Sequence, residues 1–371
     1  MRPFSSLLAG ALACCLLAGC GGGDDDSPQP ETPTAAATAT QEATPAPSPT
    51  PSVSATTTAK ATATKTADED KSEKEPEEGA RPWGNPDGPS AIAIGGGERP
   101  ATLLVPRDAD RTEPRPLVLL LHGYGSSGAG ADAYFQFAAQ VNELGFGLIL
   151  PNGAEDPEGE HFWNGTTECC DLLDTGVDDV GYLRGLIEEA RAHAAFDKVF
   201  AVGHSNGGFM AYRLACEAIP GLTAIVSLAG GTYANPIDCR APSAVSVLQI
   251  HGDRDLVIRY AGGPLKGPLG WTESVPGAEE SVLRWAERAG CDLNAAEELA
   301  PIDTDLFVEG AETNIQRWRE GCAGGTVHEL WTIRGGGHVP LVWGTEFTER
   351  ILLWLNDAYT GQVTIEAGGA E

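Results

Sequence analysis

Three residues of this chain have the types and the spacing for nucleophilic attack on a carbonyl: Ser205, Asp255 and His338. A serine hydroxyl is too weakly acidic to attack an ester at neutral pH unless a base takes its proton as it attacks. That base is usually a histidine, itself oriented by a buried carboxylate. Ser205 stands in Gly203-His204-Ser205-Asn206-Gly207. An apolar run from Val199 to Val202 precedes it, and Phe209 to Cys216 follows with helical spacing. Strand, G-x-S-x-G and helix together make a sharp elbow that lifts the serine hydroxyl clear of a sheet and over a helix N-terminus. Gly203 and Gly207 fit places where the backbone passes too close to its neighbours for a Cβ.

After Ser205 the chain offers a carboxylate just beyond a strand, in His251-Gly-Asp253-Arg-Asp255, and a histidine beyond the last strand, in Gly335-Gly-Gly-His338. Asp253 lies nearer the strand end, but the apolar Leu256-Val257-Ile258 after Asp255 suits burial against the histidine. We therefore expect Asp255 as the acid and Asp253 in the turn. His338 is the histidine that follows Asp255 in a glycine loop. A tetrahedral oxyanion needs two N–H donors. The residue after the nucleophile, Asn206, is expected to supply one, and Tyr124, in the loop after His122-Gly123, the other.

The elements that must position these residues alternate. Buried strands are expected at Thr102–Val105, Pro116–His122, Phe146–Pro151, Val199–Val202, Thr223–Ala229, Val245–His251 and His328–Ile333. Helices are expected at Ala131–Leu144, from Asp178-Asp179 to His193, after Ser205, at Ala278–Ala289 and at Thr345–Tyr359. Residues 291–326 read as an irregular insertion. Strand–helix alternation with strands apolar on both faces means a mostly parallel sheet covered on both sides. With the elbow and the order Ser, Asp, His, it predicts an α/β-hydrolase. Catalysis then belongs at the carboxyl edge of the sheet.

The apolar residues are unevenly spread. Residues 1–19 read as a signal peptide whose apolar run is too short to span a bilayer. It ends in Leu17-Ala-Gly-Cys20, which resembles a bacterial lipobox, with Cys20 as the acylated residue. From 20 to 82 the chain is rich in Pro, Thr and Ala and then acidic, a disordered tether with nothing to fill a core. The catalytic domain is expected over 83–361, with a tail at 362–371. The net charge of −29 speaks against a nucleic-acid partner. These features predict an exported protein, held at the extracytoplasmic face of the membrane by its lipid alone.

Beyond Cys14, Cys15 and Cys20, six cysteines remain. An even count in an exported domain suggests disulfides. Cys216–Cys239 and Cys291–Cys322 are the expected pairs, which leaves the adjacent Cys169 and Cys170. The sequence alone does not choose among the pairings. The spacing does not suit a metal site, and neither metal nor cofactor is expected.

His122-Gly-Tyr-Gly-Ser-Ser-Gly128, Cys169-Cys170 with Val177-Asp-Asp-Val-Gly-Tyr182, Gly203-His-Ser-Asn-Gly-Gly208, His251-Gly-x-x-Asp255 and Gly335-Gly-Gly-His338 resemble the polyhydroxybutyrate depolymerase/feruloyl esterase family of secreted α/β-hydrolases. The resemblance covers about residues 90 to 358. It places the acid at the second aspartate, Asp255. It also implies hydrolysis of feruloyl or acetyl esters on polysaccharide, or of hydroxyalkanoate oligoesters. Members often carry Thr-Trp-Pro-Gly after the histidine, whereas this chain has Val339-Pro-Leu-Val-Trp343. That displacement leaves Trp163, Trp271 and Trp343 as the candidates for a substrate wall. A serine peptidase of the prolyl-oligopeptidase type is the competing enzyme reading, although no propeller or added lid is evident. A surface binding protein with a relic triad is the non-catalytic one.

Overall fold

The computed structural model describes residues 88–240, 245–267 and 270–361, with backbone only at 266, 267 and 270–273. The expected signal peptide, Cys20, the expected tether and the expected tail after 361 lie outside them. The strands before the elbow are β1 (Ser90–Ile94), β2 (Ala101–Val105), β3 (Arg115–Leu121) and β4 (Gly147–Leu150), then a short hairpin, β5 (Ala154–Glu155) and β6 (His161–Phe162). Next come β7 (Phe196–His204), β8 (Leu222–Leu228) and β9 (Ser246–Gly252). A second hairpin, β10 (Gly263–Gly267) and β11 (Gly270–Val275), precedes β12 (Glu297–Ile302), β13 (Thr313–Trp318) and β14 (His328–Ile333).

Ten of these form one sheet in the order β1-β2-β4-β3-β7-β8-β9-β14-β13-β12. From β4 through β14 every neighbouring pair is parallel. The outer pairs at both ends are antiparallel. The parallel strands point one way, so the loops after β3, β7, β9 and β14 gather at one edge.

Helices cover both faces: α1 (Gly128–Phe135), α2 (Val141–Leu144), α3 (Asp179–Arg191), α4 (Asn206–Cys216), α5 (Ala278–Arg288) and α6 (Phe347–Thr360). Along β3 the side chains alternate between two cores. Leu117, Leu119 and Leu121 join Leu183, Leu214 and Trp285 on the side of α3, α4 and α5. Val118 and Leu120 join Phe135, Phe347 and Trp354 on the side of α1 and α6. The apolar content on both faces of the central strands is what buries them doubly.

Three local expectations need correction. Residues 291–326 are not irregular, because β12 and β13 extend the sheet there. Their sequences are half polar and carry Pro301, as a strand near a sheet edge permits, so no continuous apolar run announces them. The helix expected at Ala131–Leu144 is broken. Gln136 takes a left-handed φ of 58°, and the Asp132 carboxylate accepts the Ala138 N–H at 2.7 Å. A side chain thus competes with the helix for its own backbone. An extra strand, Ser90–Ile94, pairs with β2 ahead of the first expected one.

Disulfides join Cys216 to Cys239 and Cys291 to Cys322. Cys169 and Cys170 are bonded to each other across a cis peptide. The adjacent pair packs with Phe209, Ile258, Val275 and Leu265 in a small third cluster. That cluster ties the loop before α3 to the first turn of α4 and to the second hairpin.

Candidate active site

The elbow is built at the end of β7. Ser205 has φ 53° and ψ −118°, a costly conformation for a residue with a side chain, of the kind that concentrates at functional sites. It is held by Ser205 N–H donating to Leu228 O at 2.8 Å. The glycines on either side have no room for more. A Cβ on Gly203 would lie 2.2 Å from Gly207 O, and one on Gly207 would lie 2.3 Å from Leu121 O.

His338 Nε2 is 2.9 Å from Ser205 Oγ, and His338 Nδ1 is 2.7 Å from Asp255 Oδ2. The three side chains therefore form one continuous hydrogen-bonded series across the loops after β7, β9 and β14. Asp255 is fully buried as a side chain, whereas His338 keeps 15% of its surface exposed. Asp255 Oδ1 accepts the N–H groups of Val257 and Ile258 at 2.7 and 2.9 Å. Burial alone would raise the Asp255 carboxyl. Hydrogen bonds from His251 and His338, the His338 charge and the Val257 N–H outweigh it, so the group stays well below the usual carboxylate range.

Asp253 is placed differently. Its Oδ1 accepts the Gly335 N–H at 2.6 Å, and its own N–H donates to Ile333 O at 3.0 Å. It sews the loop after β9 to the loop after β14. Gly252 allows this approach, since a Cβ there would lie 2.3 Å from Gly336 O.

His338 is fixed by residues that sequence reasoning passed over. His204 Nε2–H donates to His338 O at 2.9 Å, which fixes the His204 tautomer because a carbonyl only accepts. Burial lowers His204 to about 4. Tyr134 OH donates to Pro340 O at 2.8 Å, and its ring stacks on His204 at 5.8 Å. No spacing rule singles out a tyrosine in α1 as the anchor of a loop 206 residues away.

Asn206 opens α4, and its buried amide exchanges two hydrogen bonds with the Trp163 backbone, at 2.7 and 2.8 Å. Tyr124 is exposed, and its hydroxyl donates to Asp156. Among the described residues, the loop hydrogen bonds use Gly125 N–H and Ser126 N–H but not the N–H of Tyr124 or of Asn206. Trp163 requires a correction as a substrate wall. It is fully buried, with its indole N–H donating to His122 O at 3.1 Å, so it has no face to offer a ligand. Trp343 is half exposed in the loop after His338. Trp271 lies in β11, with its side chain outside the described residues.

The parallel sheet, the elbow and the Ser205–His338–Asp255 series define an α/β-hydrolase fold. No family model matches the chain. It is 30% identical over 237 residues to "Putative esterase NocK" of Nocardia uniformis subsp. tsuyamanensis, covering 61% of this chain and 65% of that protein. It is 26% identical over 228 residues to Feruloyl esterase B of Piromyces equi, covering 60% of this chain and 39% of that protein. The chain thus spans less than two thirds of either relative's length. Among solved structures, the acetyl xylan esterase from Aspergillus awamori superposes with a TM-score of 0.49 and 16% identity, over 72% of this chain and 98% of that one.

Proposed function

We propose that the chain is a serine esterase. The observation that carries this reading is the unbroken series from Ser205 Oγ through His338 to buried Asp255. In the first step His338 Nε2 takes the Ser205 proton as Oγ attacks the ester carbonyl, and the imidazolium is stabilised by the Asp255 carboxylate. The oxyanion is held by the backbone N–H groups of Asn206 and Tyr124. His338 then returns its proton to the departing alcohol, which leaves an acyl-Ser205. Water, deprotonated by the same imidazole, attacks that acyl group and restores the serine.

For substrate we infer feruloyl or acetyl esters of polysaccharide, or hydroxyalkanoate oligoesters. The motif resemblance and a relative named a feruloyl esterase support this class. Trp343 is the candidate wall. We further propose export and acylation at Cys20, on the lipobox and the tether after it; mass spectrometry of the mature N-terminus tests this. The esterase reading is tested by a hydrolysis screen with feruloyl, acetyl-xylan and hydroxybutyrate esters. At least one class is expected to turn over, and Ser205→Ala to lower its rate by about two to three orders of magnitude or more. Turnover that survives Ser205→Ala contradicts it.

A further inference from the structure

Asp255 is gripped from behind by a second imidazole. His251 Nε2 lies 2.7 Å from Ile258 O and 3.3 Å from Asp255 Oδ2. Both partners are acceptors, so Nε2 carries a hydrogen and points it between them. The other ring nitrogen, Nδ1, is 3.1 Å from Gln249 Nε2. The orientation of that amide is set in turn. Gln249 Nε2–H also donates to Gly230 O at 3.1 Å, and Gln249 Oε1 accepts the Tyr212 hydroxyl at 2.9 Å. With both amide hydrogens and the amide oxygen engaged, Nδ1 faces a donor and must accept. Tyr212, Gln249 and His251 are each buried at 0–1% exposure, where a misdirected donor finds no water to replace its partner.

We propose that His251 is a positioning residue for the reaction, its tautomer fixed by Gln249 and Tyr212 so that its Nε2–H holds Asp255 Oδ2 against His338. This rests on the esterase reading above. The same carboxylate oxygen then receives two imidazole N–H groups, one from each side, while Oδ1 receives two backbone N–H groups. His251 moves no proton and touches no substrate. It limits the rotation of Asp255, and it shares the negative charge that Asp255 presents to His338. The other ionisable groups around it are His338, His204 and Tyr260, whose ring meets His251 edge-on at 5.9 Å.

The test is His251→Phe, assayed beside His251→Gln, which returns an N–H near the Nε2 position. On a p-nitrophenyl ester, His251→Phe is expected to lower kcat by about 10- to 100-fold with KM changed by no more than about twofold. Without the His251 donor, Asp255 is free to rotate away from His338, so the loss falls on kcat rather than on KM. His251→Gln is expected to recover to within about fivefold of the parent. A His251→Phe enzyme with parental kcat overturns the inference. So does a loss that His251→Gln fails to rescue.

Nitrogen-15 NMR of the ring in the unaltered protein serves if His251→Phe does not fold. Protonated Nε2 with a hydrogen-bonded Nδ1 supports the inference, and the opposite tautomer overturns it. Gln249→Met, which frees the ring to invert, is expected to lower kcat in the same direction by about 3- to 10-fold; no loss counts against the inference. The NMR measurement needs no substrate. Failure of the parent protein to hydrolyse any ester or to react with a fluorophosphonate would sink the esterase reading separately.

Discussion

Asp255 and Glu329 are both carboxylates with side chains sealed from solvent, one just past the end of β9 and the other on the neighbouring strand β14. Glu329 lies against the Arg317 guanidinium at 2.5 Å and accepts the Trp331 indole N–H at 2.7 Å. Burial pushes its carboxyl up, and Arg317 and Trp331 only partly offset this. Among the described residues, the ion-pair partners of Asp255 are the imidazoles of His251 and His338 rather than a lysine or arginine, yet its carboxyl is held down. The difference lies in what stands on the far side. Glu329 ends in a closed pair inside the sheet, whereas Asp255 is relayed through His338 to a partly exposed serine hydroxyl. Burial of a carboxylate is therefore no sign of chemistry by itself. A path from it to a reachable nucleophile is.

Removing one charge from each site separates the two roles. Asp255→Asn is expected to lower kcat/KM by about three to four orders of magnitude, because His338 loses the acceptor that selects its tautomer. Steady-state kinetics on a p-nitrophenyl ester measures this, and a loss under tenfold breaks the comparison. Glu329→Gln strands Arg317 in the core and is expected to cost about 3 kcal/mol of stability in denaturant melts. The activity of its folded fraction should stay within about twofold of the parent, as expected for distant independent sites.

Buried histidines add a pH dependence. Burial lowers both His122 and His328 to about 4, whereas the unfolded chain titrates near 6.5. Between these values the unfolded state binds more protons than the native one. The contribution of each histidine is thus fully present above about pH 6.5 and is lost as the pH falls toward 4, by at most about 1.4 kcal/mol per pH unit. Denaturant melts across that window measure it, and stability that is flat or rises on acidification contradicts it. Glu329 opposes this trend and Asp255 adds to it, the latter only below about pH 3.9. The smallest effect is expected from Tyr134→Phe. It removes one hydrogen bond to the His338 loop and should reduce kcat by about two- to tenfold without changing the fold.

Ser205, Asp255 and His338 were legible because each follows a strongly apolar strand, and parallel strands deliver their ends to one edge. Asp255 was preferred over Asp253 for the apolar residues after it, but Leu256 and Val257 face solvent, and it is the backbone N–H groups of Val257 and Ile258 that hold the Asp255 carboxylate. The strands β12 and β13 were not, since Glu297–Ile302 and Thr313–Trp318 lie in the outer part of the sheet and carry polar side chains along it. The break at Gln136 depends on a side chain, Asp132, reaching across a turn, which helical periodicity does not register. Trp163 reads as a loop tryptophan, but the Asn206 amide draws its backbone inward. The partner of His338, His204, is set by packing between segments 134 residues apart, and no linear spacing encodes that.

Intact-mass and peptide analysis after fluorophosphonate treatment addresses the central claim most directly, because it reads the reactivity of one hydroxyl without assuming a substrate. A single adduct on Ser205, abolished in His338→Ala, is the predicted result. No adduct in the parent protein, or an adduct on Ser205 undiminished by His338→Ala, would contradict it.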